Sequence, residues 1–310
     1  MRALCISGGG SMGAWAGGVV EFLKLSNKDW DKFFGTSTGS LMIPLIACDK
    51  VSKLKKAYTS ISPDDIFSLN PFKIKSVKGG EFRFKLNHIN IIKNFIRNGT
   101  STLGDSSNLK QTIKNFLSQE EYKDIIDLKK EVVVSVCNLS TEELEMKSNL
   151  NQNYDDFIDW MVASSSATPF MSIVEKNGFD YVDGGILRYI PILEAIESGA
   201  TEIDAIVLME HDERNRVEKI RNVLHLIGKM IKIFLKNRKE DDTDLKRLSK
   251  LVDEDEVIIN FYYLPRKITN NPYIFDSNIM SSWWEEAFEF AQNGPTSSYR
   301  LRKGRVKKLI

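Results

Sequence analysis

Short apolar runs alternate along the chain with longer segments in which apolar residues recur every three or four positions. The short runs, bounded by turn residues, are typical of buried strands, and the longer spacing is typical of helices. The predicted strands cover 2–7, 30–34, 131–139, 179–183, 203–209 and 257–264, and 144–147 is a predicted hairpin partner. The predicted helices include 14–23, 41–47, 51–61, 107–117, 156–163, 191–198 and 283–290. Strands alternating with helices predict an α/β fold with a mostly parallel central sheet, covered by helices on both faces.

A glycine-rich loop, Ser7-Gly8-Gly9-Gly10-Ser11-Met12-Gly13, lies between the first predicted strand and a helix. Such loops let backbone N–H groups approach a ligand closely. Gly8-x-Gly10-x-x-Gly13 fits a dinucleotide-binding fingerprint, and it also fits a loop that stabilises an oxyanion. The dinucleotide interpretation expects an acidic residue at the end of the second strand. Asp31 lies at the beginning of that strand instead, which weakens this interpretation.

Gly35-Thr36-Ser37-Thr38-Gly39 follows the second predicted strand and leads into an apolar helix. Gly-x-Ser-x-Gly between a strand and a helix is typical of a nucleophile elbow, in which a tight turn exposes the serine hydroxyl. The N-terminus of the helix favours negative charge that develops there. Ser37 is therefore the candidate nucleophile.

A serine nucleophile needs a base to take its proton, and two candidates follow predicted strands. Asp183 precedes Gly184 and Gly185 at the end of one strand, and His211 directly follows the strand over 203–209. The order Ser37, Asp183, His211 would fit a hydrolase triad, so the chemistry alone leaves a dyad and a triad open. His88 and His225 are interpreted as surface or helix-face residues.

The composition narrows the classes of protein to consider. The chain has 310 residues, with 43 Lys and Arg against 42 Asp and Glu, so no global charge points to nucleic acid. Three widely spaced cysteines favour a reducing compartment over a disulfide framework, and a cytoplasmic protein is expected. No uninterrupted apolar run is long enough for a transmembrane helix or a signal peptide, and no spacing suggests a metal site. Neither a metal nor another cofactor is expected.

The C-terminal third is more basic. Apolar residues recur at helical spacing through Arg214–Lys239 among many lysines and arginines. Such a helix can lie on an anionic membrane, or it can pack its apolar face on the core. The last residues, 300–308, are predicted to be a solvated or frayed basic end.

Four motifs in order, 8–13, 35–39, 163–169 and 183–185, together resemble the patatin-like phospholipases, a family of lipid acyl hydrolases. The resemblance covers roughly residues 2–210. It implies a three-layer α/β/α fold and a Ser–Asp dyad, with Ser37 as nucleophile and Asp183 as base. It also implies that the loop supplies the oxyanion hole from Gly8, Gly9, Gly10 and Ser11. Gly13, Gly35, Gly39, Gly184 and Gly185 would support these motifs. The hydroxyls of 164–166 could also be simple helix caps.

One position departs from the family pattern. Met12 stands where the family usually has Arg or Lys, which puts the level of activity in question more than the fold. Residues 1–310 are expected to form one domain, with 211–310 as a helical, basic extension packed on it. The expected function is a serine lipid acyl hydrolase of the phospholipase A or lysophospholipase type, with at most peripheral membrane contact. The alternatives are a gated membrane-binding or signalling effector with weak hydrolase activity, and a nucleotide-binding protein that uses the first glycine loop.

Overall fold

A computed structural model describes residues 1–77, 81–99, 101–211, 220, 223–252, 255–269 and 271–310. In this part of the chain the strands are β1 (Arg2–Ile6), β2 (Lys32–Thr36), β3 (Phe72–Val77), β4 (Glu81–Leu86), β5 (Glu131–Asn138), β6 (Glu143–Ser148), β7 (Val174–Lys176), β8 (Phe179–Asp183), β9 (Glu202–Glu210), β10 (Val257–Leu264), β11 (Ser297–Arg302) and β12 (Arg305–Lys308). The α-helices are α1 (Gly13–Leu25), α2 (Thr38–Ala47), α3 (Val51–Ser60), α4 (His88–Asn98), α5 (Asn108–Phe116), α6 (Gln119–Asp127), α7 (Tyr154–Ser164), α8 (Ile192–Glu197), α9 (Val223–Asp242), α10 (Leu245–Ser249) and α11 (Ser277–Ala291).

One ten-stranded sheet has the order β12-β11-β10-β9-β1-β2-β5-β8-β7, with β6 also paired to β5. The five strands from β10 to β5 are mutually parallel, and both flanks of the sheet are antiparallel. The parallel strands have their carboxyl ends at one edge, where sites are built in such sheets. The predicted α/β fold with a mostly parallel central sheet is confirmed. The glycine loop and Ser37 follow neighbouring strands, β1 and β2, at this edge.

Two hydrophobic clusters cover the two faces of the sheet. Leu4 and Ile6 of β1 belong to the cluster with helices α1, α2, α7 and α11. Ala3 and Cys5 of the same strand belong to the cluster with α8 and α10. Side chains alternate between the faces of a strand, so the apolar run in β1 buries both sides. These helix layers on both faces make the three-layer arrangement that was predicted.

The C-terminal region is built into the same sheet. Strand β10 has the predicted bounds and pairs in parallel with β9, and α11 packs on α1, where a Cβ on Gly17 would lie 2.0 Å from the Trp284 ring. The expectation of a helical extension was incomplete, because β10, β11 and β12 extend the sheet. Of the predicted solvated or frayed end, fraying is wrong, since β11 and β12 form an antiparallel edge hairpin, whereas the exposed side chains of β12 agree with a solvated end.

Of two other segments, one differs in detail from the sequence prediction and one agrees with it. The helix after Ser37 ends at Ala47, and α3 begins separately at Val51, because Asp49 takes a left-handed conformation with φ 59°. The irregular region from Leu69 to Gly104 contains the hairpin β3–β4 and helix α4, in agreement with a hairpin or helical excursion.

Helix α9 contains part of the predicted basic segment Arg214–Lys239, and residues 214–219, 221 and 222 lie outside the described residues. One side of α9 packs inward through Ile231 and Leu235, which are half-buried, while Met230 and Ile233 on its other side are exposed. Among the described helices, none combines the length and apolar content needed to cross a bilayer.

Candidate active site

Ser37 occupies a sharp, strained turn between β2 and α2. Its φ and ψ are 56° and −123°, a left-handed region that is costly for a residue with a side chain. The two positions that flank Ser37 in the motif, Gly35 and Gly39, have no room for a side chain. A Cβ on Gly35 would lie 2.6 Å from the carbonyl carbon of Gly39, and a Cβ on Gly39 would lie 2.3 Å from the carbonyl oxygen of Ile6. The two glycines therefore allow the tight strand-to-helix turn that the motif predicts.

Asp183 ends β8, and it lines the same cavity as Ser37, whose hydroxyl favours the ionised form of the Asp183 carboxyl. The same carboxylate accepts the Gly185 N–H at 2.7 Å, and the Asp183 amide donates to the carbonyl of Ser166 at 3.1 Å. The side chain is almost completely buried, and this desolvation raises the pKa of Asp183 from 3.8 to about 6, although the Ser37 hydroxyl and the Gly185 amide oppose the rise. The structure thus brings together the two residues from widely separated motifs.

The glycine loop lies directly against the serine. A Cβ on Gly8 would be 3.2 Å from the Ser37 Cβ. The Gly8 amide donates to the Tyr189 carbonyl at 3.2 Å, and the Ser11 amide donates to the Pro272 carbonyl at 2.8 Å. Both amides are therefore already engaged. This corrects the expectation that Gly8 and Ser11 supply oxyanion donors.

Gly9 and Gly10 are the other two expected donors. Within the described residues, their amides have no hydrogen-bond acceptor. Gly10 has a φ of 56°, and a Cβ there would lie 2.4 Å from the Pro272 carbonyl oxygen, so this loop conformation requires glycine. In this loop, an oxyanion near Ser37 would therefore find unengaged backbone N–H groups at Gly9 and Gly10.

The three serines at the C-terminal end of α7 and directly after it, Ser164, Ser165 and Ser166, have different roles. The Ser164 hydroxyl oxygen accepts the Ser37 amide at 3.2 Å, so it supports the elbow directly. Ser165 and Ser166 instead donate to carbonyls of the preceding turn, of which Val162 accepts from both. The capping interpretation therefore holds for two residues of the motif and not for Ser164.

Three structural supports of the site were missed by the sequence analysis. Tyr189 and Pro272 supply the carbonyls that hold the glycine loop. Asp242, at the end of α9, accepts the amides of Tyr189 at 2.6 Å and Ile190 at 3.2 Å, and it pairs with Arg188 at 2.6 Å. No local motif marks these residues, because each acts through contacts that are distant in sequence.

A cavity of about 1160 Å³ opens in front of Ser37 and Asp183. Its walls are mainly aliphatic and aromatic side chains from α2, α3, α5, α7 and the segment around Tyr273. This volume exceeds the roughly 300–1,000 Å³ of typical small-molecule sites. Met12, which stands where the resembled family usually has Arg or Lys, also lines this cavity. A large apolar cavity beside a serine hydroxyl suits a substrate with a long hydrocarbon group.

The remaining candidates lie elsewhere. His211 follows β9, is exposed, and packs its ring edge-on against Tyr263 at 4.8 Å between ring centroids, and it is absent from the described cavity lining. His88 is exposed at the start of α4, and the side chain of His225 lies outside the described residues.

Strand β2 ends at Thr36, whose hydroxyl bonds to Ser135 and to the Arg188 carbonyl. The last residue of this strand is thus a threonine, where the dinucleotide interpretation expects a carboxylate to hold a ribose.

The sequence model of the family described as patatin-like phospholipase matches residues 4–196 of the chain. The uncharacterized protein YjjU of Escherichia coli (strain K12) is 25% identical over 207 residues, which are 66% of this chain and 51% of YjjU. The chain thus spans about half the length of this curated relative.

Two solved structures are similar to the chain. VipD from Legionella pneumophila has 13% identity and a TM-score of 0.49, with 97% of this chain and 68% of that chain covered. The type III effector protein ExoU has 9% identity and a TM-score of 0.40, with 96% of this chain and 54% of that chain covered.

Proposed function

The chain belongs to the patatin-like phospholipase family, and we propose that it is a serine lipid acyl hydrolase in which Ser37 is the nucleophile and Asp183 the base. The observation that carries this proposal is that the strained Ser37 turn and the buried Asp183 carboxylate line the same apolar cavity. A serine becomes an effective nucleophile when an adjacent base accepts its proton. The Asp183 carboxylate, in the same cavity as Ser37, is the base we propose for this step.

In the proposed reaction, the Ser37 oxygen attacks the carbonyl carbon of an ester while its proton passes to Asp183. The carbonyl oxygen becomes an oxyanion that the Gly9 and Gly10 amides stabilise. Each donor of this kind contributes on the order of 3 kcal/mol in the transition state. The intermediate then breaks the ester bond, and the leaving alcohol takes the proton from Asp183. An acyl group remains on Ser37.

Water completes the cycle. Asp183 takes a proton from the water molecule that attacks the acyl carbonyl, and the same amides hold the second oxyanion. The fatty acid leaves and the proton returns to Ser37. Because one carboxylate serves both half-reactions, no histidine is required. The exposed position of His211 and its packing on Tyr263 support the dyad over the triad.

The cavity supports a fatty-acyl substrate. Apart from Ser37, Asp183 and the glycine loop, the walls close to the site are dominated by residues such as Leu41, Met161 and Phe170. Burial of an acyl chain there is favourable by about 0.8 kcal/mol for each CH₂ group. We propose phospholipase A or lysophospholipase activity, with peripheral membrane contact through the segment Arg214–Lys239, of which α9 exposes Met230 and Ile233.

A fluorophosphonate probe tests the proposal, because it forms a covalent adduct with an activated serine. The adduct is located by peptide mass spectrometry, and hydrolysis of a short p-nitrophenyl ester is measured in parallel. We expect label on Ser37 and ester hydrolysis in the parent. Both should be lost in Ser37→Ala and Asp183→Ala.

His211→Ala is the control for the triad alternative and should keep both label and hydrolysis. Loss of label in His211→Ala would contradict the dyad. Absence of label on folded parent protein would contradict an active hydrolase and favour a gated effector with weak activity.

A further inference from the structure

Helix α4 exposes four of its large apolar side chains, while Ile91 and Asn94 are its buried residues. Ile89, Ile92, Phe95 and Ile96 are 59%, 56%, 45% and 81% exposed. The opposite side is held by asparagines: Asn90 donates to the Asn70 carbonyl at 3.0 Å, Asn94 to the Thr102 carbonyl at 2.9 Å, and Asn98 to Asp105 at 3.1 Å. A surface helix usually buries most of its large apolar side chains, so four exposed ones on α4 mark a face that binds something else.

The exposed residues form one continuous stripe. On a helix with 100° per residue, Ile89, Ile92, Phe95 and Ile96 fall within a single arc, since they are spaced by three or four positions. Lys93 and Arg97 border this arc, and α4 contains no carboxylate. The face is therefore apolar in the middle and positive along one border.

The hairpin that leads into α4 adds further positive charge. Lys73 and Lys85 stand directly opposite each other in the β3–β4 register, and both are exposed. Like charges in this arrangement are destabilising, and a nearby anion relieves the repulsion. Within the described residues, none of Lys73, Lys85, Lys93 and Arg97 forms an ion pair with a carboxylate, although lysines such as Lys53 and Lys176 do.

The same segment forms part of the cavity wall. Phe72, Lys85 and Leu86 of the hairpin line the cavity that contains Ser37, and Asn87, which follows Leu86, caps α4. The Asn87 amide also donates to the Pro71 carbonyl at 2.8 Å. The stripe on α4 is thus joined through a single residue, Asn87, to the part of the hairpin that lines the cavity.

We propose that the α4 face, comprising Ile89, Ile92, Phe95, Ile96, Lys93 and Arg97, docks on an anionic phospholipid bilayer. The apolar side chains would enter the boundary between head groups and acyl chains, and the cations would bind lipid phosphates. This surface is separate from the segment Arg214–Lys239. The proposal that the α4 face delivers lipid to the cavity rests on the proposed hydrolase function. The binding of this face to a bilayer does not depend on that function.

Vesicle co-sedimentation of the full chain with Ser37→Ala tests the docking, because this variant leaves the lipid intact. Phosphatidylcholine vesicles are compared with vesicles that also contain phosphatidylglycerol. We expect binding to the anionic vesicles that weakens with salt. Binding should fall roughly tenfold or more in I92Q/I96Q, since two exposed isoleucines lose their lipid contact, and by a similar factor in K93Q/R97Q.

L25Q is the matched control. Leu25, at the end of α1, is 69% exposed, so its loss also lowers the exposed apolar area, yet it should leave vesicle binding unchanged. On a background with Ser37 intact, both α4 double variants should hydrolyse a soluble p-nitrophenyl ester like the parent and hydrolyse vesicle lipid more slowly. Vesicle binding without ester hydrolysis would contradict the proposed hydrolase and support the docking surface.

Three results would overturn the docking proposal. The first is equal binding of both double variants and the parent to anionic vesicles. The second is no binding of the parent to vesicles of either composition. The third is self-association of the parent, measured by analytical ultracentrifugation, that the I92Q/I96Q change abolishes without an effect on vesicle binding, since a second copy of the chain would then be the occupant of this face.

Discussion

The amide of Gly8 donates a hydrogen bond to the carbonyl of Tyr189 at 3.2 Å. This bond joins the glycine loop after β1 to the segment that follows Asp183. The same segment is held from its other side by Asp242, which accepts the Tyr189 and Ile190 amides. The segment with Tyr189 and Ile190 therefore contacts both the glycine loop and the chain that follows the proposed base. The position of this segment depends on Asp242 in the last turn of α9.

Replacement of Asp242 by Ala should lower kcat for a soluble ester about tenfold or more, with a smaller change in KM. The variant leaves two amides and part of the Arg188 guanidinium without an acceptor, so the loop that positions Gly8 loses its anchor. Breaking a buried pair also costs about 3–5 kcal/mol of folding free energy. Steady-state kinetics and urea unfolding measure the two effects.

The neighbouring D241A variant is the control for D242A, because the Asp241 side chain is 52% exposed and forms a long contact with Arg238. It should behave like the parent in both measurements. A D242A variant that is less stable but retains the parent's kcat would show that Asp242 supports the fold without positioning the site.

The activity should fall in acid with a midpoint near pH 6. Asp183 must be ionised to accept the Ser37 proton, and burial raises the pKa of this carboxyl to about 6. Below that pH, kcat/KM should decrease about tenfold for each pH unit. A pH profile on a soluble ester measures this. A midpoint near the ordinary carboxyl value of 3.8 would show that burial does not raise the pKa of Asp183, and activity that does not fall in acid would contradict Asp183 as the base.

Replacement of Asp183 by Asn should abolish hydrolysis and stabilise the fold above pH 6. The pKa of Asp183 is higher in the folded chain than in the unfolded chain, so its contribution to stability is fully present below about pH 4 and is lost as pH rises through about 6. At pH 8, this lost contribution lowers the free energy of unfolding of the parent by about 3 kcal/mol. Asn carries no such penalty and can still accept the Gly185 amide.

Urea unfolding of D183N and the parent at a series of pH values measures this linkage. The stability difference between the two proteins should increase by about 3 kcal/mol from pH 4 to pH 8. A difference that does not vary with pH would show that Asp183 is not desolvated in the folded chain.

Replacement of Gly39 by Ala should destabilise the fold and abolish labelling of Ser37. The new Cβ would lie 2.3 Å from the backbone oxygen of Ile6, so β1 and α2 would have to separate. Overpacking of this kind costs typically about 1–3 kcal/mol. Thermal unfolding and fluorophosphonate labelling measure the two effects.

Gly228→Ala is the matched control for Gly39→Ala. Gly228 lies within α9, and a Cβ added there would meet no described atom within 4 Å, so this change should raise stability by about 0.5–1 kcal/mol. Stability losses of equal size in both variants would show that the close approach at Gly39 does not matter.

The sequence by itself determined the family, the α/β fold and the positions of the candidate catalytic residues. Each of these features depends on residues that are close in sequence. Gly35, Ser37 and Gly39 specify a turn within five residues, and the apolar runs of β1 and β9 specify buried strands. The same locality explains why the bounds of β10 were correct from sequence. The basic end after β11 was misjudged because its pairing as an edge hairpin depends on β10, a distant strand.

Only the tertiary structure decided which amides in the glycine loop are engaged. The carbonyls of Tyr189 and Pro272, which are far away in sequence, accept hydrogen bonds from the amides of Gly8 and Ser11. Within the described residues, the amides of Gly9 and Gly10 have no acceptor. The tertiary structure likewise decided which side of α4 faces the solvent, since Asn90 and Asn94 donate to the carbonyls of Asn70 and Thr102 on the opposite side of the helix from the exposed isoleucines. A hydrogen-bond donor is satisfied by whichever acceptor the fold brings to it, and this depends on the path of the whole chain.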